Sequence, residues 1–303
     1  MIQPESSAQK LRRNFTTQGI AAHHIREHHI AGLYAKLRSV PDRADFTAAE
    51  PLLAELHEGG QWGMQPFAFI VETRDIPELQ FVIENIATQT QLPIQIIHGQ
   101  KNRAILDTEI VRTLLSDARC LSIELPTDAL QASVYNALFL DSRLYRSLGG
   151  RGKFLVFQTD SVCCTCSEFA LEDFLNFDYI GAAWPRNRPV GLNIDGGFGG
   201  FSIRDWAASF AAVERFSTEL WPGGEDGFFA FHLDLMGGTV ADADAMVRFA
   251  TQSVFQYRSF GAHQVSRLRP QDHARFLEYC PEIRRVLSWE CLTPDAAENI
   301  PIN

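Results

Sequence analysis

Asp160, Glu225, Asp226 and His263 are the side chains of this 303-residue sequence whose types and settings could together do chemistry. Asp160 closes the stretch KFLVFQTDS at residues 153–161, where an apolar run that reads as a buried strand turns into Gln158-Thr159-Asp160. A carboxylate there stands at the C-terminal edge of a sheet, where open α/β sheets bind ligands. The same Asp could merely cap a turn or the next helix. Glu225-Asp226 opens an apolar helical run after Trp221-Pro-Gly-Gly, and acidic residues in a first helical turn could equally be dipole partners. His263 ends Ser259-Phe-Gly-Ala-His, which reads as a glycine turn. Carboxylates with an imidazole can hold a divalent cation or move a proton. The spacings of zinc-hydrolase motifs, HExxH and HxxEH, are missing, which ranks a metal hydrolase low.

The elements that must position these groups alternate between strand and helix. Residues 67–72, FAFIVE, predict a first strand, residues 77–87 a helix, and residues 93–98 a second strand, which implies a parallel α/β unit. The turn after the first strand has neither GxGxxG nor a phosphate-loop lysine, which argues against a dinucleotide dehydrogenase or a P-loop enzyme. Thr73 and Arg74 remain at a strand end, where they could contact a nucleotide. The Arg fork suits a phosphate or a base edge, and a surface carboxylate equally well. Residues 121–125 predict a third strand, residues 132–148 a helix carrying Val134, Leu138, Tyr145 and Leu148 on one face, and residues 168–175 another helix. Trp184, in DYIGAAWP, could stack on a sugar or base or lie half-buried in the core. Residues 196–204, GGFGGFSIR, form a glycine-dense turn feeding a short strand, and glycines let a backbone approach a ligand closely.

With 46% hydrophobic residues the chain can fill a sizeable core, as one large α/β domain or two small ones. Its formal net charge of −10 argues against a general nucleic-acid binder. Residues 1–40 nevertheless hold six basic and two acidic side chains, net +4, which leaves −14 for the rest. That region predicts helix, with Ile25, Ile30, Leu33 and Leu37 near one face and His23, His24, His28 and His29 around them. It could meet a membrane surface, an acceptor or a partner, or simply pack on the main domain. No long apolar run and no signal-peptide pattern is present, so a cytoplasmic protein is the simplest expectation. On that footing the six cysteines are expected as reduced thiols. Cys163-Cys164-Thr165-Cys166 lacks the paired CxxC spacing of a structural zinc site.

The order FQTDS, DYIGAAWP, GGFSIR, GEDGFF and FGAH resembles a family of glycosyltransferase-like domains of unknown function, itself similar to the GT-A nucleotide-sugar transferases. The likeness runs over residues 67–263. It implies an α/β fold, a GT-A-like Rossmann-type three-layer sandwich with a mostly parallel central sheet. It also implies a helical N-terminal extension over residues 1–62, a catalytic domain over 63–267 and a helical tail over 268–303. On this resemblance Gln158-Thr159-Asp160 takes the place of a DxD motif, with Gln158 replacing the first Asp, and Asp160 and His263 are the metal residues. Gly199 and Gly200 form the loop near donor and acceptor sugars, with Phe198 where relatives carry Asn. Thr73, Arg74, Gln158 and Thr159 face the nucleotide, Asp226 is the base and Glu225 orients the acceptor. Gln252 stands where relatives often have Glu. The implied activity is an inverting, Mn²⁺- or Mg²⁺-dependent transfer of a sugar from a nucleoside diphosphate to a glycan or other hydroxyl acceptor. The alternative is a non-catalytic nucleotide-sugar or glycan binder that keeps the fold, motivated by the missing first Asp.

Overall fold

The computed structural model describes residues 4–287. Nine strands are present among them: β1 Phe67–Glu72, β2 Ile94–His98, β3 Cys120–Glu124, β4 Lys153–Val156, β5 Ser161–Cys163, β6 Tyr179–Ala182, β7 Phe198–Asp205, β8 Ala250–Thr251 and β9 Gly261–His263. Six of them form one sheet in the order β3-β2-β1-β4-β7-β6, and β5-β9-β8 form a small second sheet. β3, β2, β1 and β4 run parallel, while β7 runs antiparallel to both β4 and β6, so the main sheet is parallel except for one inserted strand. β1 is buried at all six positions, as its apolar run requires of a strand covered on both faces. Helices cover the sheet, and Glu78–Thr90 makes the crossover connection that the parallel pair β1 and β2 requires.

Several boundaries differ from the sequence expectations. The helix expected over 132–148 is two, Ala132–Phe139 and Ser142–Ser147, because the Asp141 carboxylate accepts the Arg143 backbone N–H and starts a second helix. The helix expected over 168–175 is only a 3₁₀ turn, Leu171–Phe174. His263 stands on β9 rather than in a glycine turn. The expectation of reduced cysteines fails at one pair. Cys164, next after β5, is disulfide-bonded to Cys280, at the end of the helix Pro270–Tyr279, across 116 residues of sequence. Such a bond persists in oxidising compartments, which pulls against a cytoplasmic setting. Cys120, Cys163 and Cys166 are thiols, and Cys291 lies outside the described residues, as does the tail beyond 287. No helix among the described residues is long and apolar enough to cross a membrane.

The N-terminal residues fold as the helices Ser7–Thr17, Glu27–Tyr34 and Phe46–Leu53, the first of which docks on the helix Glu225–Leu235. Ser6 Oγ donates to Asp234 at 2.6 Å, and the Tyr34 hydroxyl meets His232 Nε2 at 2.7 Å. His232 Nδ1 lies 2.7 Å from the Phe228 carbonyl, which can only accept, so Nδ1 carries the proton and Nε2 accepts from Tyr34. The ring is fully buried against Phe228 and Phe216, and burial drives its pKa from 6.5 down to about 3. A His that is neutral when folded and titrates normally when unfolded contributes stability that is complete above the unfolded pKa and lost as pH falls towards the folded one. Between about pH 7 and pH 5.5 this residue alone is expected to withdraw about 1.2 kcal/mol. Urea unfolding of wild type and His232→Gln at the two pH values checks it. The variant starts less stable but shows the shallower pH slope, and equal slopes would refute the assignment.

Candidate functional site

β1 and β4 are adjacent parallel strands, so their C-terminal ends open on one edge of the sheet. A cleft of about 940 Å³ lies there, and all ten site residues expected from the sequence line it. β1 contributes Glu72, Thr73 and Arg74, and β4 runs on through Phe157 to Gln158, Thr159 and Asp160. The facing wall consists of Gly199 and Gly200 from β7 and the first turn of the helix Glu225–Leu235.

The strand pairing of the small sheet brings His263 to Asp160. β5 follows Asp160 directly and pairs antiparallel with β9, Ser161 opposite His263. His263 Nε2 thereby lies 3.3 Å from Asp160 Oδ1 and 3.1 Å from Gln158 Oε1. The Oδ1 contact lacks hydrogen-bond alignment, and that buried oxygen has no hydrogen-bond partner. Burial raises the Asp160 pKa, but His263 and Gln264 outweigh it and hold the carboxyl below its ordinary value. Gly200 makes the arrangement possible: a Cβ there would stand 2.4 Å from His263 Nε2 and 2.5 Å from Gln158 Oε1. Its backbone φ is not in the left-handed region, so the requirement is space rather than conformation.

Gly199 serves a second pair in the same way. A Cβ there would stand 2.4 Å from Glu225 Oε1 and 2.8 Å from Arg204 Nη2. Both glycines, expected near bound sugars, are thus accounted for by the protein's own side chains. Arg204 is fully buried, forks onto both Glu225 oxygens, donates to the Gly199 carbonyl at 3.2 Å and lies over the rings of Phe139, Tyr179 and Phe229. The Glu225 backbone N–H also donates to Asn136 Oδ1. Burial raises the Glu225 pKa, with Arg204 opposing, while the charge of Glu225 overcomes burial and raises that of Arg204. Glu225 was expected to orient an acceptor; with both oxygens taken by Arg204, it instead fixes the cleft wall.

Asp226, the next residue, faces the cleft with its side chain 20% exposed. Its Oδ1 accepts from the Gly227 N–H at 2.6 Å, and its Oδ2 lies 3.9 Å from the Arg188 guanidinium. Arg188 stacks 3.8 Å over Trp184 and 5.1 Å over Phe198. Trp184 is therefore a buried residue whose indole N–H donates to the Ile194 carbonyl and whose face carries Arg188 rather than a sugar. Sequence reasoning passed over Arg188, although an arginine three residues after an aromatic-proline segment was a visible signal.

Of the two uses open to Arg74, the structure shows the ion pair. Its Nε and Nη2 fork onto Glu72 at 2.9 and 2.6 Å, and the side chain is 57% exposed. Glu72 is buried and also lies 3.5 Å from the Thr159 hydroxyl. It too was passed over, although it ends β1 as Asp160 follows β4. Thr73 is buried, and its Oγ1 has no hydrogen-bond partner.

Among the described residues no three His, Cys, Asp or Glu side chains are grouped to hold a metal. Asp160 and His263 form a pair, and the third oxygen beside them is the neutral Gln158 amide. This donor set still fits a cation that keeps other oxygen ligands: a buried carboxylate oxygen without a hydrogen bond, an imidazole nitrogen, and room that a single Cβ would fill.

Residues 121–263, just under half of the chain, match a family model described as a protein of unknown function (DUF5672). The match takes in Asp160, Arg204, Asp226 and His263 and leaves Glu72, Thr73 and Arg74 outside. No curated protein matches the chain.

Proposed function

We propose that this chain is a divalent-cation-dependent transferase that moves a sugar from a nucleoside-diphosphate sugar to a hydroxyl acceptor, on a GT-A-like α/β scaffold with a helical N-terminal extension. The observation that carries the reading is the meeting of Asp160, His263 and Gln158 at the open C-terminal edge of β1 and β4, inside a cleft of about 940 Å³. That volume lies in the range of small-molecule and cofactor sites. A switch-edge position of this kind is where open α/β sheets bind nucleotides.

Breaking the bond between the anomeric carbon and the diphosphate builds positive character on the sugar and negative charge on the leaving group. Asp160 and His263 would hold Mn²⁺ or Mg²⁺, which supplies neutralisation of that negative charge. Arg74, exposed and held ready by Glu72, would turn part of its fork to a phosphate. Thr73 and Thr159 offer hydroxyls to the ribose. Asp226 would take the proton of the acceptor hydroxyl as the new glycosidic bond forms, with the Arg188 guanidinium 3.9 Å from its Oδ2. Glu225 and Arg204 keep the wall that carries Asp226 in place. The second reading, a nucleotide-sugar binder without turnover, is favoured by one observation: Gln158 brings no charge where a second carboxylate would strengthen cation binding.

Asp226→Asn separates the two. As the residue that takes the proton, Asp226 is expected to contribute about 10²- to 10⁴-fold to kcat, so the variant should lose that much turnover while binding UDP, GDP or CDP with Mn²⁺ as wild type does. Calorimetry paired with sugar transfer over a panel of donors and acceptors measures both quantities. Nucleotide binding with no wild-type turnover on any acceptor would overturn the catalytic reading and leave the binder.

A further inference from the structure

Residues 38–45 lie between the helices Glu27–Tyr34 and Phe46–Leu53, and three of them, Val40, Pro41 and Asp42, line the cleft. Hydrogen bonds hold this stretch from several directions. The Arg38 N–H donates to the Val190 carbonyl at 3.1 Å, the Val40 N–H to the Pro222 carbonyl at 2.9 Å, and the Asp45 N–H to the Ser133 carbonyl at 3.0 Å. The Arg43 guanidinium donates to the Glu219 carbonyl. Backbone donors that in a solvated loop would meet water are here taken by the rest of the protein, so the stretch is a fixed strap. Pro189 and Val190 line the cleft beside it, and strap and neighbouring turn make one continuous wall from segments far apart in sequence.

The strap is also latched to the helix that bears Asp226. That helix starts after Gly224, which has no side chain to cap its first N–H groups. Asn136, on the helix Ala132–Phe139, supplies the missing acceptor: its Oδ1 accepts from the Glu225 N–H at 3.0 Å. Its Nδ2 donates to the Asp42 carbonyl at 2.7 Å. A side-chain amide accepts at one end and donates at the other, so the two contacts fix its orientation. The strap partners named here belong to the Asp226 wall or its flanks, and none to the edge of β1 and β4 assigned above to the nucleotide. At Val40, half-buried, and at Pro41 and Pro189, both exposed, the wall offers C–H surface. An apolar surface with few polar groups beside it is the usual composition of a small-molecule site.

We infer that the strap is the acceptor wall of the cleft, and that it selects a hydroxyl acceptor with an apolar face, such as the C–H face of a sugar ring. That face lies on Val40 and Pro41 while the reacting hydroxyl meets Asp226. Asn136 is a positioning residue that keeps wall and carboxylate in register. The inference rests on the transferase reading for the reaction served. It goes beyond that reading by placing acceptor choice in a segment outside residues 121–263, the region that matches the family model.

Saturation-transfer NMR with a panel of p-nitrophenyl glycosides tests the wall without any turnover, run with Mn²⁺ alone and with UDP, GDP or CDP added. Ring C–H protons of at least one glycoside should receive saturation from the wild-type protein. Pro41→Trp, which adds bulk at an exposed position, should abolish that signal while nucleotide affinity by calorimetry stays that of wild type. Val40→Ala should weaken glycoside binding about 10-fold, the lower end of what a missing methylene costs in an apolar site. In transfer assays Asn136→Ala should raise the acceptor KM and lower kcat with nucleotide affinity kept, a split that general damage to the fold would not produce. Glycoside binding unchanged in Pro41→Trp, or no glycoside bound by wild type under either condition, would overturn the inference. Glycosides held at the strap with no transfer to any of them would contradict the proposed function and leave the wall standing, whereas transfer whose acceptor KM ignores the strap variants would do the reverse.

Discussion

Glu225→Ala is expected to destabilise the fold by about 3–5 kcal/mol, the largest effect on stability of any change at the cleft. The cause is what stays behind. Arg204 is fully buried, with three aromatic rings around it and Glu225 as its carboxylate partner. Removing the carboxylate strands a guanidinium that water cannot reach, with only the Gly199 carbonyl and the Ser202 hydroxyl still accepting from it. Because the penalty belongs to an uncompensated charge, removing both partners should cost less than removing one. Glu225→Leu combined with Arg204→Met should therefore recover much of the loss. Urea unfolding of the single and double variants measures this. A loss under about 1 kcal/mol in Glu225→Ala would mean that Arg204 finds water or another anion, and that Glu225 is free to meet a ligand after all.

How far the sequence foretold the molecule depends on the range of the interactions involved. β1, β2 and β4 were legible because their apolar runs are bounded by polar turns and buried on both faces. The parallel unit followed from the helix between the first two strands. The insertion of β7 between β4 and β6 was not legible, since the order of strands in a sheet is set by tertiary packing rather than by any one segment. The break at Asp141 came from a side chain competing with the helix for a backbone N–H, which a periodicity reading of residues 132–148 averages away.

The candidate site shows the same division. Asp160, Asp226 and His263 could each be singled out by local context, but the contact of His263 with Gln158 spans 105 residues and depends on the register of two three-residue strands. Gly199 and Gly200 were noticed for the close approach they permit, and the side chains that approach them, Glu225 and Arg204 at one and His263 and Gln158 at the other, come from segments no local pattern connects. Gln252 looked like a lost carboxylate because its hydrogen bond to His263 exists only in three dimensions. The Cys164–Cys280 bond joins residues whose spacing carries no pattern.

The second large effect is expected on activity. Asp160→Ala removes the one carboxylate of the proposed cation seat and should reduce cation-dependent turnover by at least about 10²-fold, since electrostatic stabilisation of developing charge usually contributes more to catalysis than any other single effect. Gly200→Ala should do comparable harm without removing any ligand, because its methyl group would need the space held by His263 Nε2 and Gln158 Oε1. The two variants together separate the chemistry of Asp160 from general damage, as Gly200→Ala acts only through the geometry of its neighbours. The direct test is release of nucleoside diphosphate from a panel of nucleotide sugars, with and without Mn²⁺, by wild type, Asp160→Ala and Gly200→Ala. Mn²⁺-dependent release by the wild type that collapses in both variants is the expected outcome. Release at the wild-type rate by Asp160→Ala, or no release by wild type from any donor, would refute a cation-dependent transferase.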